Sequence, residues 1–183
     1  MSACSARASP ATALATSRPF QALNPIALGA FSTADRAEFL LGQFANEEPV
    51  FAVDNLPFLA AGYDNAWKLY QAQKAVLEKK LQARGMRLLY SVAWPGQGIY
   101  TKNPMKSVAD LKGTKFRTYS PQTARLAELL GASPTVIQAT DIPQAFATNT
   151  GQAMITSSAT AVSFKAWESV KNYYPTRAFH PTN

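Results

Sequence analysis

Few side chains in this sequence are placed to do chemistry, and the strongest case is Arg117. It closes the run Lys-Ser-Val-Ala-Asp-Leu-Lys-Gly-Thr-Lys-Phe-Arg that begins at Lys106. The run reads as a turn, then Gly113, then a short strand over 114–118 with Arg117 near its C-terminal end. Ser120-Pro121 follows as a helix cap and first-turn proline, so strand hands over directly to helix. In open α/β sheets, ligands sit in the crevice beyond the C-terminal strand ends. A guanidinium there is a planar five-donor fork suited to a carboxylate or phosphate. Thr156 ends a second predicted strand, 153–156, where its hydroxyl would converge on the same crevice. Spacing alone fits a salt-bridged surface arginine better than an anion clamp.

Catalysis would need a positioned acid, base or nucleophile. The only histidine, His180, lies beside Pro181 near the C-terminus and reads as a solvated tail residue. Cys4 is the only cysteine, so no internal disulfide forms, and no Cys/His pair can be assembled from residues so far apart. Glu47-Glu48 reads as a solvated turn. No metal-ligand spacing is present, and Gly96-Gln97-Gly98 is too short for a dinucleotide loop. The sequence therefore points to neither catalysis nor a cofactor or metal.

The elements that must position Arg117 and Thr156 form a strand–helix series. A helix is expected over 33–44 and a moderately apolar strand or turn over 21–30. Extended segments are expected over 51–53 and 56–59. A long helix, 64–83, carries Trp67, Tyr70, Leu77 and Leu81 on one stripe, Trp67 being assigned to the core. Asp64 suits its N-cap and Gly85 its C-terminal stop. An internal strand is expected over 86–92, and a helical turn over 107–111. The strand at 114–118 then leads to a helix over 121–130 closed by Gly131, and to a strand over 135–138. Asp141 with Gln144 suits a capping box for the next helix. Strand 153–156 leads into a final helix over 159–173. Such alternation predicts an α/β fold with a mainly parallel sheet covered on both faces.

Composition sets the outer limits. The chain has 183 residues, 47% hydrophobic and 16% charged, which suits a globular protein. No apolar run reaches the ~18 to 20 residues of a membrane span. The net charge of +7 favours anions, but the Lys and Arg residues are scattered, so no nucleic-acid module is expected. Residues 1–19 contain no continuous apolar core of a signal peptide and read as a disordered or non-native start.

Six pieces in order carry a family resemblance: Asn55-Leu56-Pro57-Phe58-Leu59, Trp94-Pro95-Gly96-Gln97-Gly98-Ile99-Tyr100, Leu111 to Arg117, Leu130-Gly131-Ala132-Ser133-Pro134-Thr135, Gln144-Ala145-Phe146-Ala147-Thr148, and Ala153 to Ser158. Together they resemble the DctP-like substrate-binding proteins of tripartite ATP-independent periplasmic (TRAP) transporters. The resemblance implies a two-lobed periplasmic-binding-protein-like α/β fold, partial here, with N- and C-terminal segments missing. Residues 20–94 would belong to the first lobe and 95–183 to the second. It implies no enzyme, a periplasmic location, an organic acid anion as ligand, and TRAP membrane subunits as partners.

Arg117 would clamp the ligand carboxylate. Ile155 and Thr156 stand where relatives usually carry glutamate and asparagine, a departure that moves the second polar contact to the Thr156 and Ser157 hydroxyls. Gln97 lies near where many relatives place a second arginine, giving a weaker polar contact. Trp94, Tyr100, Tyr119 and Phe58 suit the pocket wall or the core equally. Arg125, on the helix after Arg117, reads as a surface charge. Three rivals are weighed at this stage: a truncated, non-functional fragment, a small α/β enzyme acting on an anion, and, disfavoured by the scatter of its basic residues, a nucleic-acid-binding module using the +7 charge.

Overall fold

The computed structural model describes residues 38–183. The expectations for 1–19 and 21–30, and most of that for 33–44, lie outside the described residues. Within them, five strands form one sheet: β1 Gly98–Thr101, β2 Lys115–Thr118, β3 Ser133–Val136, β4 Ala153–Thr156 and β5 Asn172–Tyr174. The helices are α1 Tyr63–Gln82, α2 Pro121–Leu129, α3 Ile142–Ala147 and α4 Ser158–Ser163, with 3-10 turns between them. Strand order is β3-β2-β4-β1-β5.

The expectation of parallel pairing holds for β3, β2 and β4, which crossover helices connect. By contrast, β1 runs antiparallel to both β4 and β5, so the sheet is mixed. Register fixes which side chains share a face. Arg117 lies opposite Met154 and Thr135, and Tyr100 also lies opposite Met154. Because side chains alternate along a strand, Arg117, Met154, Thr156, Gly98 and Tyr100 share one face. On that face Met154 and Tyr100 pack with Ile142 and Phe146 of α3, Ala161 of α4 and Val170. On the other, Phe116, Ile155 and Ile99 pack with Leu111, Ala127 of α2 and Phe179. Helices thus cover both faces, as expected.

The chain upstream differs more from expectation. Residues 49–55 form a 3-10 helix opened by a proline, Pro49–Asn55, rather than an extended segment. Coiling turns Phe51 inward, where it packs with Leu41, Leu77 and Leu81. Helix α1 begins at Tyr63 after Gly62, with Asp64 in its first turn. Its C-terminus closes as a Schellman motif: Gly85 (φ 73) donates to the Gln82 carbonyl and Met86 to that of Leu81. The buried stripe runs Ala66, Tyr70, Gln73, Leu77, Leu81, at helical spacing. Trp67, one position off that stripe, is 60% exposed and leans on Tyr70, so its core assignment is corrected.

No strand forms over 86–92: Leu89 and Tyr90 are about two-thirds exposed, at 67% and 69%. A strand needs a hydrogen-bonded neighbour. Among the described residues the only one alongside is the C-terminal segment, through the bridge between Ala93 and Thr182. The final helix also stops early. After α4, Lys165 takes a left-handed backbone (φ 49), a 3-10 turn Ala166–Glu168 follows, and β5 then adds to the edge of β1. Asp141 does precede α3, but its side chain makes no capping bond.

Candidate functional site

Local sequence explains how β2 is delivered. Asp110 accepts from the backbone N–H groups of Lys106 and Ser107, which hold its carboxylate below the usual range. The Gly113 N–H, in a left-handed turn (φ 74), bonds the Gly131 carbonyl at 2.8 Å, tying the start of β2 to the loop before β3. At the other end, Ser120 Oγ accepts from the Thr123 N–H at 3.2 Å, and Thr123 Oγ1 accepts from the N–H groups of Tyr119 and Ser120. This reciprocal cap pins the turn that follows Arg117.

The Arg117 side chain is 3% exposed. Its Nε donates to the Ile137 carbonyl at 2.8 Å, and its guanidinium carbon stands 5.1 Å from the centre of the Tyr119 ring. No carboxylate among the described residues forms an ion pair with it. Burial lowers its pKa from 12.5 to about 10, with Tyr119 acting in the opposite sense, and it remains a cation at neutral pH. With Nε committed to Ile137, the two terminal nitrogens are left as a pair of parallel donors. A buried cation lacking a counter-charge is costly unless something supplies one.

The other candidates divide by what their polar atoms already do. Thr156 is 3% exposed, faces the same side of the sheet as Arg117, and its hydroxyl makes no hydrogen bond among the described residues. Ser157 Oγ is engaged in capping α4, accepting from the Thr160 N–H at 3.1 Å and donating to Thr160 Oγ1 at 2.9 Å. Gln97, buried, donates from Nε2 to the Pro95 carbonyl and accepts at Oε1 from the Tyr119 hydroxyl, both at 3.1 Å. Trp94 donates its indole N–H to Asn183 Oδ1 at 2.6 Å. Tyr119 is thus held at its hydroxyl by Gln97 and covers one face of the guanidinium. Burial pushes its phenol pKa up, Arg117 opposes this, and Asp54 adds to it.

Tyr100 lies in the core against Tyr173, ring centres 4.6 Å apart, while Phe58 is 71% exposed in a left-handed backbone (φ 64). Arg125 pairs with Glu128 on the surface, as expected. A surface recess lined by Thr101, Pro104, Met105, Leu111 and Ala153 opens at the opposite strand ends from Arg117. It holds no cation placed like Arg117.

Sequence reasoning missed three residues near this region. His180 is not a solvated tail: it is 5% exposed, with Nδ1 on the Trp94 carbonyl at 3.1 Å and its ring 4.9 Å from that of Tyr63. Asp54 is buried and accepts from the Thr182 N–H and hydroxyl and from Asn55 Nδ2. Tyr173 lies over Gly98, whose missing Cβ would stand 2.4 Å from the ring. An acid within a 3-10 turn and a histidine in the last four residues carry no local signal of burial. The glycine at 98 could have hinted at a close approach.

Among the described residues no cluster of ligating side chains could hold a metal, and no helix is long and apolar enough to cross a membrane. The arrangement suits binding: a buried fork of donors beside an open hydroxyl and a fixed aromatic wall.

The family model for bacterial extracellular solute-binding proteins, family 7 (DctP), matches residues 28–183. DctP6 of Bordetella pertussis, an extracytoplasmic solute receptor binding pyroglutamic acid, is 51% identical with a TM-score of 0.76, over 79% of this chain and 48% of its own. DctP7 of the same organism, also binding pyroglutamic acid, is 46% identical with a TM-score of 0.77, over 78% and 48%. A marine metagenome TRAP solute-binding protein specific for pyroglutamate is 39% identical with a TM-score of 0.75, over 78% and 47%. The chain therefore spans about half the length of these solved relatives. The family is one of substrate-binding proteins, not of enzymes. With a match over most of its length and a fold shared with these receptors, this chain belongs to the bacterial extracellular solute-binding proteins of family 7.

Proposed function

We propose that this chain is the solute-binding component, or part of it, of a TRAP transporter, that it works in the periplasm, and that it captures a small organic acid anion for delivery to the membrane subunits. The observation carrying this reading is the buried Arg117 guanidinium, which has two terminal nitrogens unengaged and no carboxylate partner among the described residues. A ligand carboxylate supplies the missing counter-charge, accepted by those two nitrogens as a bidentate pair. Thr156 offers its hydroxyl from the adjacent strand, and Tyr119, anchored by Gln97, forms the wall over the guanidinium. Ser157 contributes by fixing the start of α4, and Trp94 by tying the crossing segment to Asn183.

The described residues up to 94 and those from 95 to 183 form parts of two lobes in this reading, and ligand binding favours their closed arrangement by making more contacts there. The ligands of the three similar receptors point to a compact cyclic amino-acid derivative of the pyroglutamate type. Isothermal titration with pyroglutamate and a set of mono- and dicarboxylates tests it. The expected result is tight binding of at least one small carboxylate by the wild type, and its loss in Arg117→Met. Equal affinity in the two proteins would remove Arg117 from the site.

A further inference from the structure

The run between helix α1 and the crossing segment is left with open backbone. At one end the Met86 N–H bonds the Leu81 carbonyl at 3.0 Å, and at the other Val92 exchanges both backbone bonds with Asn183, at 3.4 and 3.1 Å. Between them, residues 87–90 make no hydrogen bond among the described residues, and Ser91 bonds only through its hydroxyl, to the Asn183 carbonyl.

Burial along the run starts as it would in a strand. Met86 and Leu88 are half-buried and pack on the cluster of Phe51, Leu77 and Leu81, whereas Arg87 and Leu89 face solvent. In a strand, the N–H and C=O groups of alternate residues point to the same edge. Val92 spends its pair on Asn183, so Leu88 and Tyr90 share that edge, and Arg87, Leu89 and Ser91 share the other. The second edge is a row of unpaired donors and acceptors with an exposed leucine at its middle. Such a row templates pairing with another chain.

Register and charge identify the occupant. Antiparallel pairing of the run with itself, about a two-fold axis at Leu89, sets Leu89 against Leu89 and Arg87 against Ser91. Each pair then exchanges both of its backbone bonds, and the two exposed leucines cover one another. The charges match as well. Asn183 Nδ2 donates to Glu38 Oε1 at 2.5 Å, and Ser91 Oγ donates to the Asn183 carbonyl at 2.7 Å, so Glu38 stands close to Ser91. Neither Glu38 nor Arg87 forms an ion pair among the described residues. In the paired arrangement, Arg87 of each copy reaches the Ser91 end of the other and meets its Glu38. A strand of unrelated sequence brings no such match.

We infer that residues 87–91 form an interaction surface for a second copy of this chain, the two joined as a closed two-fold pair through an antiparallel strand. The surface does not involve Arg117, so it stands or falls separately from the binding site.

The test uses the full chain in sedimentation equilibrium, with disulfide trapping to check the register. The expected mass is twice the 19.8 kDa of one chain, falling to that of one chain in Leu89→Pro, which removes the central donor. Arg87→Glu should weaken the pair by roughly 3- to 10-fold, and adding Glu38→Arg should restore it, since two symmetric surface ion pairs are reversed and then rebuilt. In a Cys4→Ser background, Leu89→Cys should oxidise to a covalent dimer. Its Cα atoms would lie about 5.5 Å apart, inside the ~4.4 to 6.8 Å that a disulfide accepts. Val92→Cys should not, because this register separates the two copies of that residue by about 20 Å, at ~3.3 Å per residue. A wild type with the mass of one chain overturns the inference, whether hydrogen exchange finds residues 87–91 open or protected by another part of the same chain. Open-ended association in place of a closed pair also overturns it. So does a dimer that persists in folded Leu89→Pro, or trapping at Val92→Cys as complete as at Leu89→Cys. Should Leu89→Pro fail to fold by circular dichroism, the charge swap and the trapping decide on their own.

Discussion

Replacing Arg117 by methionine should make the ligand-free protein more stable while abolishing anion binding. Met fills much of the volume of the arginine stem without its charge. The guanidinium is 3% exposed, and burial holds its pKa near 10 instead of 12.5, which corresponds to about 3 kcal/mol of cost for the charged form. Because the depressed value belongs to a cation that the fold disfavours, removing it relieves that cost at every pH below about 10. Against this stand the bond from Nε to the Ile137 carbonyl and the contact with the Tyr119 ring, together about 1 to 2 kcal/mol. The net expectation is stabilisation by about 1 to 2 kcal/mol, since exchanging an unpaired buried charge for an apolar group of similar volume often stabilises. Urea unfolding of the ligand-free protein, followed by circular dichroism, measures the first half; titration calorimetry with pyroglutamate measures the second. A variant destabilised by 2 kcal/mol or more would refute the reasoning, because it would mean that Arg117 is a satisfied structural cation.

Other perturbations test the parts around it. Tyr119→Phe removes the hydroxyl bonded to Gln97 and should lower stability by about 1 kcal/mol, with a loss of affinity under tenfold by calorimetry. Gly98→Ala places a methyl 2.4 Å from the Tyr173 ring and should cost about 1 to 3 kcal/mol in urea unfolding, with an altered near-ultraviolet spectrum as Tyr173 moves. Ser120→Ala deletes the cap on α2 and should cost about 1 kcal/mol by the same measurement. Burial raises the Asp54 pKa above 3.8, with the bonds from Thr182 and Asn55 opposing. The folded state thus holds that proton more tightly than the unfolded chain. Stability from this group is fully present below about pH 3.8 and is lost as pH rises through the folded value. Comparing thermal melts of wild type and Asp54→Asn across that range should show a fall in the wild type that the variant lacks.

The second half of the chain was legible because its punctuation is local. Gly113, Ser120-Pro121 and Gly131 mark turns whose geometry depends on a few neighbours, and β2 and α2 fall where they indicate. The same run placed Arg117 at a strand end. What it could not show is whether a carboxylate comes near, since that depends on which acidic residues the whole fold brings together. Residues 86–92 have the apolar pattern of a buried strand, yet pattern supplies no partner, and Leu89 and Tyr90 remain exposed. Tyr173 was assigned to a helix because residues 159–173 carry no glycine or proline; only the left-handed turn at Lys165 and the free edge of β1 make β5 possible. Asp54 and His180 owe their burial to the terminal segment packing back on residues 54 and 92–97, contacts that span most of the described chain. Gln97 illustrates the limit within the site: its amide was expected to meet ligand, and the structure spends it on Tyr119 and Pro95.

The most direct test of the central claim is a crystal structure of the protein with pyroglutamate bound. The account predicts the ligand carboxylate on the two terminal nitrogens of Arg117 at about 2.8 Å, with Nε still on the Ile137 carbonyl. A ligand bound elsewhere, with Arg117 paired to a carboxylate of the protein itself, would contradict it.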